Sequence, residues 1–246
     1  MSNWEQRHIL EAYSFELGKV DHAHIQERVV GHLNHVDHDL AASVAATLGI
    51  APPEEATPNH GRSSPALSQA QQPRSVATRK VAVLAADGVD AATLRPVLDW
   101  LRGQGAICEV LAPHGGELTA ADGDQLPVNR ALTTMASVLY DAILVAGGAG
   151  SIDTLLRDGE AVHYTSEAYK HGKAVAALDA GIRVLEQAPL PPVRLANNGH
   201  GVVVDNGVVT VAGSSSNPRS DEFAEAFADA IRAHRSYERD VAAVPA

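Results

Sequence analysis

The stretch KAVAALDAG, residues 173–181, decides the fold class of this chain. Its apolar run is typical of a buried strand, and Asp179-Ala180-Gly181 predicts a tight turn into a following helix. A strand, a sharp turn and a helix in this order form the elbow on which many α/β enzymes place a nucleophile. The stretch therefore predicts an α/β domain. It also raises the question of whether Asp179 is a nucleophile or the remnant of a lost site.

Composition limits the classes of function that are open to the chain. The 246 residues carry a formal net charge of −11, so nucleic acid is not expected as a partner. No window approaches the roughly 18 apolar residues of a membrane span, and the polar start from Met1 to Gln6 does not resemble a signal peptide. The single cysteine, Cys108, cannot form an intrachain disulfide. These features predict a cytoplasmic protein that does not bind a membrane.

The first 50 residues are predicted to be helical. Apolar residues recur at helical spacing in three segments, and the third has Asp37 as its N-cap and Gly49 as its C-terminal stop. Three short helices with one apolar stripe each bury little core, so this segment, 1–50, is expected to pack on another structure. Residues 51–78 are rich in Pro, Ser, Gln and Ala, which predicts a flexible, disordered linker.

Residues 79–237 alternate strand and helix signals. Apolar strand runs such as DAILVAGG, residues 141–148, are separated by amphipathic helical patterns. This alternation predicts a flavodoxin-like, doubly wound, mostly parallel sheet. Hairpins are predicted around Asp122-Gly123 and Asn206-Gly207. The last helix is predicted over 220–237, followed by a tail over 238–246.

Ligands of such a sheet bind beyond the carboxyl ends of its strands, so the loops there hold the candidate residues. Asp87 and Asp90 follow the first strand, and Asp90 is interpreted as a helix N-cap. Gly147, Gly148 and Gly150 could cradle an anion, but neither Gly-Lys-Ser/Thr nor GxGxxG follows. A plain tight turn is therefore the favoured interpretation of these glycines.

The elbow aspartate lacks the partners that a nucleophile needs. No histidine follows Asp179 in the turn, where the next residues are Ala180 and Gly181. A covalent carboxylate needs a base that activates water and a pocket for the electrophile. Asp179 is therefore interpreted as non-catalytic, retained because a short polar residue tolerates a strained turn.

The histidines and the cysteine favour structural interpretations. His32, His35 and His38 are spaced by three residues, but Asp37 interrupts any single helix, and no HExxH motif is present. A solvated histidine-rich corner is favoured over a zinc site. Cys108 lies within a predicted buried strand, which favours an inert core thiol.

With these residues in view, residues 79–237 resemble the PfpI-like branch of the class I glutamine amidotransferase-like superfamily. The segments VAVLAADGVD, ILVAGG and AVAALDAG carry the resemblance, in order and spacing. The resemblance implies a cysteine at the elbow, where this chain has Asp179 followed by Ala180, and an acidic residue in the first loop, where it has Thr93. Both departures point away from protease, deglycase or glyoxalase activity.

A more specific resemblance covers nearly the whole chain. RHILEAYSFELGKV, IQERVVGHLNHVDHDLAASVAATLGI, ADGDQLPV and EAYKHGKAVAAL resemble the carboxyl-terminal part of large-subunit, clade 2 catalases. The haem-binding barrel and haem ligands of that family have no counterpart here, since RSYERD around Tyr237 is not its proximal Arg-x-x-x-Tyr motif. The resemblance therefore implies no catalytic residue, no metal ligand and no cofactor in this chain.

Three hypotheses follow. The first is a non-catalytic catalase module that acts in subunit assembly or stabilisation, with a catalase core or copies of itself as partners and unfolding clients as chaperone substrates. The second is a small PfpI-like hydrolase or lyase that uses Asp179. The third, catalase activity in the chain itself, requires an axial haem ligand that the sequence does not offer.

Overall fold

A computed structural model describes residues 3–58, 61, 64–67, 74–197, 201–213 and 220–245. The chain divides into two compact units, Met1–Gln72 and Pro73–Ala246. The division lies within the predicted linker, residues 51–78, part of which falls outside the described residues. At the start of that segment, Asn34 donates hydrogen bonds to the Glu55 carbonyl oxygen at 2.8 Å and to Thr57 Oγ1 at 3.1 Å.

The first unit is helical, as predicted. Its helices are α1 (Asn3–Leu17), α2 (Ala23–Asn34) and α3 (His38–Leu48). The predicted N-cap is confirmed, because Asp37 Oδ1 accepts a hydrogen bond from Leu40 N at 2.9 Å. Gly49 ends α3 in the left-handed conformation with φ +70°, also as predicted.

A small core joins these three helices. Its largest buried side chains are Leu17, Val30, Leu33, Leu40 and Val44. Other apolar side chains of the unit lie outside this core: Phe15 is 67% exposed and Val36 is 56% exposed. The unit therefore leaves large apolar groups in contact with water.

The second unit is built on a seven-stranded sheet and a separate hairpin. The strands in chain order are β1 (Lys80–Leu84), β2 (Ile107–Ala112), β3 (Glu117–Thr119), β4 (Gln125–Pro127), β5 (Arg130–Ala131), β6 (Ala142–Val145), β7 (Ala174–Leu178), β8 (Val203–Asp205) and β9 (Val208–Val211). The sheet order is β5-β2-β1-β6-β7-β9-β8, and β3 pairs only with β4. All neighbours in the sheet are parallel except β8 and β9. The predicted flavodoxin-like sheet is thus confirmed.

Helices cover both faces of the sheet. They are α4 (Ala91–Gly103), α5 (Ala149–Leu155), α6 (Gly159–Lys170), α7 (Ile182–Gln187) and α8 (Ser220–Arg232). Leu94 of α4 and Phe223 of α8 are buried on one face, while Ile152 of α5 and Tyr164 of α6 are buried on the other. Strands β6 and β7 are apolar throughout, and β1 is apolar after Lys80, because both faces of these central strands are covered.

Both predicted hairpins are confirmed. Leu118 pairs with Leu126 across the turn at Asp122-Gly123, and Val204 pairs with Val209 across Asn206-Gly207. Asn206 and Gly207 have φ +48° and +73°, which is the left-handed geometry that a tight hairpin turn requires.

The predicted extent of the last helix, 220–237, is wrong. Helix α8 ends at Arg232, and His234 adopts φ +67°, which a continuing right-handed helix does not allow. The chain then turns back onto the second unit. Arg239 and Val244, which lie in the segment predicted as a tail, are buried with 3% and 2% exposure.

Candidate functional site

The elbow that opens the sequence argument is present. Strand β7 ends at Leu178, Asp179–Gly181 forms a single 3₁₀ turn, and α7 begins at Ile182. Asp179 has φ +46°, a conformation that is costly for a residue with a side chain. A Cβ on Gly181 would lie 2.7 Å from the Val145 carbonyl oxygen, so this position requires glycine. The chain therefore has the backbone geometry of a nucleophile elbow, with Asp179 at the position where such a turn usually carries the nucleophile.

The Asp179 side chain has little support for chemistry. It is exposed, and its Oδ1 accepts a hydrogen bond from Gly213 N at 3.2 Å. Among the described residues, no histidine, lysine or arginine pairs with it. Ala180 is half-buried and packs on the core beside α7. The carboxylate therefore lacks the base that activates a nucleophile or a water molecule.

The glycines after β6 form a close backbone contact with the loop after β1. Gly148 has φ +107°, and a Cβ there would collide with the Gly88 carbonyl oxygen and lie 2.6 Å from Asp90 N. The Gly147 carbonyl oxygen accepts a hydrogen bond from Asp90 N at 3.0 Å. The structure therefore has a tight turn at these glycines. Backbone of the loop after β1 lies against this turn, at the carboxyl ends of β1 and β6.

The residues of the first loop have separate roles. Asp90 caps α4, as predicted, since its Oδ1 accepts a hydrogen bond from Thr93 N at 3.2 Å. Thr93, at the position where the resemblance implies an acid, donates from Oγ1 to the Asp90 carbonyl oxygen at 3.2 Å. Asp87 instead accepts a hydrogen bond from Thr119 N at 2.8 Å, which attaches the loop to the β3–β4 hairpin.

Thr93 and Asp179 line one pocket although they are 86 positions apart (179 − 93). The pocket lies between α4, α8 and the ends of β7 and β9, and it contains about 490 Å³ of empty space including its open mouth. Its apolar wall includes Val97, Val211 and Phe223. The two positions at which the chain departs from the PfpI-like pattern therefore face the same cavity.

Asp87 also pairs with a histidine that sequence reasoning did not select. His114 Nε2 lies 3.4 Å from Asp87 Oδ2, and His114 Nδ1 lies 2.9 Å from the Gly115 carbonyl oxygen. The imidazolium form can donate to both oxygens. The Gly115 carbonyl and the Asp87 carboxylate therefore raise the pKa of His114, while the hydrogen bond from Thr119 N is the main cause of the lowered pKa of Asp87.

This pair predicts a pH dependence of the loop. The contribution of His114 is complete below its unfolded pKa of about 6.5 and is lost as pH rises through the raised folded value. The contribution of Asp87 is present above its unfolded pKa and is lost as pH falls through the lowered value. Substituting Asp87→Asn is expected to lower the pKa of His114 in an NMR titration, without removing the effect of the Gly115 carbonyl. An unchanged His114 pKa, equal to that in the control Asp153→Asn, would contradict the pair.

The histidines of the first unit do not converge. His32 and His35 are exposed, and His38 Nδ1 lies 2.8 Å from Asn34 Oδ1. Within the described ranges, no group of three or more His, Cys, Asp or Glu residues is arranged to hold a metal ion. The same ranges contain no helix long and apolar enough to cross a bilayer.

Cys108 is an inert core thiol, as predicted. It is buried in β2 with 7% exposure, and burial raises its pKa to about 11. A thiol with that pKa is almost fully protonated at neutral pH and is a poor nucleophile.

The amino ends of β7 and β9, opposite the elbow, lie close to buried cations that the sequence pattern did not indicate. Lys173 is 3% exposed and donates from Nζ to the Ser137 carbonyl oxygen at 2.6 Å. Arg239 donates to the carbonyl oxygens of Asn206 and Tyr169 at 2.6 and 2.8 Å. Lys173 thus links the start of β7 to the segment before β6. Arg239 links the chain after α8 to the β8–β9 turn and to the end of α6.

The second unit belongs to a known fold class. Its architecture is similar to a solved structure of oxidized Toxoplasma gondii DJ-1, with a TM-score of 0.54 over 60% of this chain and 87% of that chain. The two sequences are 20% identical, so the likeness concerns the fold alone. The elbow, the glycine turn and the sheet order together define a flavodoxin-like α/β domain of the DJ-1/PfpI type.

The family is narrower than the fold class. Residues 77–240 match the family model described as the C-terminal domain found in long catalases, and residues 1–48 match one described as catalase-related immune-responsive. The chain belongs to the family of C-terminal domains of long catalases. The resemblance inferred from the sequence is confirmed.

Individual relatives agree with this assignment. The chain is 46% identical to Catalase HPII of Mycobacterium avium, 39% identical to Catalase HPII of Pseudomonas putida and 35% identical to Catalase-2 of Bacillus subtilis. The alignments cover 98–100% of this chain but 33–35% of those proteins. The chain thus spans about a third of the length of the curated relatives that it matches.

Proposed function

We propose that this chain is a non-catalytic module of a large-subunit catalase, and that it acts in subunit assembly and stabilisation of a peroxide-detoxifying enzyme. The observation that carries the proposal is the elbow, where Asp179 adopts a strained φ of +46° and no base from the described residues pairs with its carboxylate. The domain is thus suited to a structural role in the assembly rather than to catalysis. Its family supplies the context, since the relatives named above are catalases.

The exposed apolar groups of the first unit support an interface. Phe15 and Val36 are more than half exposed, and apolar side chains of this size are available for a contact with another chain. The partner we propose is a catalase core or another copy of this chain. Unfolding client proteins are a second class of partner for the same apolar surface, and a cytoplasmic location stays a prediction from the sequence.

Tyr140 and Tyr164 do not fit a haem-iron ligand. A catalase-type iron ligand is a tyrosine that binds as phenolate. Tyr140 donates its hydroxyl proton to Glu109 Oε2 at 2.6 Å, and Tyr164 lies 3.5 Å from the Ala136 carbonyl oxygen. Burial is the main cause of a raised pKa in both tyrosines, which disfavours phenolate. We therefore propose no cofactor in this chain and assign peroxide chemistry to its partner.

The assembly role can be tested by native capture. The chain is tagged after residue 246 in its source cells, retrieved under native conditions, and scanned for a haem Soret band and for peroxide decomposition. We expect a haem-containing catalase polypeptide, identified by mass spectrometry, to be recovered with it. Recovery of a haem-free chain with no catalase core, in a strictly monomeric state, would contradict the proposal.

A matched pair of variants separates assembly from chemistry. Deleting residues 73–246 from the captured assembly is expected to lower its thermal midpoint or its oligomeric state. The substitution Asp179→Ala is expected to leave peroxide turnover unchanged, because the elbow takes no part in it. Equal stability with and without residues 73–246 would count against a stabilising role.

The second candidate is a small hydrolase or lyase that uses Asp179. The cavity shared by Asp179 and Thr93 favours it, because an elbow that faces a pocket is the usual arrangement of such enzymes. The discriminating measurement is turnover of aldehydes, esters and peptides by the chain and by Asp179→Ala. Activity that Asp179→Ala abolishes would favour the enzyme over the module.

A further inference from the structure

The pocket beside the elbow is a preformed cavity with an apolar interior. Val97, Leu178, Val211 and Phe223 line it and are at most 5% exposed, so their side chains are fixed by the surrounding core. Ala92 lies at its rim and is exposed. Concave apolar sites with a few polar groups are the usual form of small-molecule sites.

One acceptor on the wall of this cavity has no partner in the described part of the chain. Gly213 N donates a hydrogen bond to Asp179 Oδ1 at 3.2 Å, whereas Oδ2 receives no hydrogen bond from a described residue. The nearby hydroxyl of Thr93 has already donated its proton to the Asp90 carbonyl oxygen, so it can only accept. Among the described lining residues, Asp179 and Thr93 therefore offer acceptors at this end, and a ligand with hydrogen-bond donors matches them.

The charges around the cavity agree with a positively charged donor. The first turns of α4 and α8 contribute Thr93 and Ser220 to the lining, and both turns carry or contact acidic groups. Asp90 accepts the Thr93 N–H of α4, and the first turn of α8 carries Asp221 and Glu222. Asp179 is the one charged side chain among the described residues that line the pocket, so an anionic ligand would meet its carboxylate.

We propose that this pocket binds a small primary ammonium ion with a short apolar body. The ammonium group donates to Asp179 Oδ2 and Thr93 Oγ1, and the hydrocarbon part packs on Val211 and Phe223. The site binds without turnover, because the elbow lacks a base. The proposal rests on the pocket alone and is independent of the catalase assignment.

The test compares three probes of similar size on the full chain: benzylammonium, benzyl alcohol and benzoate. Binding is followed by amide chemical shifts, with a Kd near 1 mM expected for about eight non-hydrogen atoms. We expect benzylammonium to bind at least about tenfold more tightly than benzyl alcohol, and benzoate to bind most weakly. Shifts are expected at Thr93, Leu178 and Gly213.

The variant Asp179→Asn removes the charge and keeps the shape, and asparagine also tolerates a positive φ. It is expected to abolish the preference for benzylammonium while benzyl alcohol still binds. Asp153→Asn, an exposed carboxylate elsewhere in the unit, serves as the charge control and keeps the preference. Should Asp179→Asn fail to fold, Ala92→Phe fills the mouth of the pocket from an exposed position and is expected to block both probes.

Three outcomes would overturn the proposal. The first is equal affinity of benzylammonium and benzyl alcohol, and the second is an unchanged preference in Asp179→Asn. The third is the absence of benzylammonium binding at 20 mM, about twenty times the expected Kd. A preference for benzoate would instead show that the helix N-termini control the pocket.

Discussion

Replacing Gly148 by alanine is expected to destabilise the second unit by about 3–5 kcal/mol. The substituted residue would have to keep φ +107°, which side chains rarely adopt. Its Cβ would also meet the Gly88 carbonyl oxygen, Asp90 N at 2.6 Å and Val89 Cα at 2.8 Å. These are backbone atoms of the loop after β1, so no side-chain rotation can relieve the collision.

The measurement is the free energy of unfolding of the full chain in urea. Gly150→Ala is the matched control, since it lies two residues further in α5 and its new Cβ would be 3.5 Å from its nearest neighbours. The control is expected to change the free energy by no more than about 0.5 kcal/mol. Equal midpoints for the two alanine variants would show that the loops can separate, and that the contact at Gly148 is not essential to the fold.

Replacing Arg239 by alanine is expected to cost about 2–4 kcal/mol of unfolding free energy. The guanidinium lies 4.3 Å from the Tyr169 ring centroid and donates to two carbonyl oxygens, so the variant leaves both carbonyls without a donor. Burial lowers the pKa of Arg239 to about 10, which still leaves it charged at neutral pH. Two hydrogen bonds and a ring contact oppose the cost of burying the charge, while Nη2 of the same guanidinium is buried without a hydrogen-bond partner among the described residues.

Arg194→Ala is the control for this prediction. Its side chain is 78% exposed and lies 3.8 Å from Asp205 in the same hairpin region, so its loss is expected to cost less than about 1 kcal/mol. Thermal midpoints of the two variants provide the comparison. A similarly small loss for Arg239→Ala would mean that the segment after Tyr237 contributes little to the second unit.

The elbow shows how far sequence reasoning reached into the candidate site. The apolar run before Asp179 and the turn after it predict a strand and an elbow, because strand burial and turn geometry are local properties of the chain. The meeting of Thr93 and Asp179 in one pocket is a result of sheet order. Strand order depends on pairings between distant segments, which no local pattern specifies.

In the segment after α8, the local sequence pattern predicted the wrong structure. Its amphipathic pattern predicts a helix to residue 237, but the helix ends at Arg232 because the chain must turn back to place Arg239 under Tyr169. The Asp87–His114 pair was also missed. Its two residues come from loops after neighbouring strands and share no spacing that a sequence pattern could reveal.

The sequence by itself determined the flavodoxin-like class, the helical first segment, its Asp37 and Gly49 caps, the two hairpins and the elbow after β7. Each of these depends on local preferences for burial, capping or turns, which the residues themselves carry. The tertiary structure alone decided the close backbone contact at Gly148, the pocket beside Asp179 and the burial of Lys173 and Arg239. These features arise where segments distant in sequence pack together. The contacts that stabilise them therefore form only in the folded chain, and no local pattern encodes them.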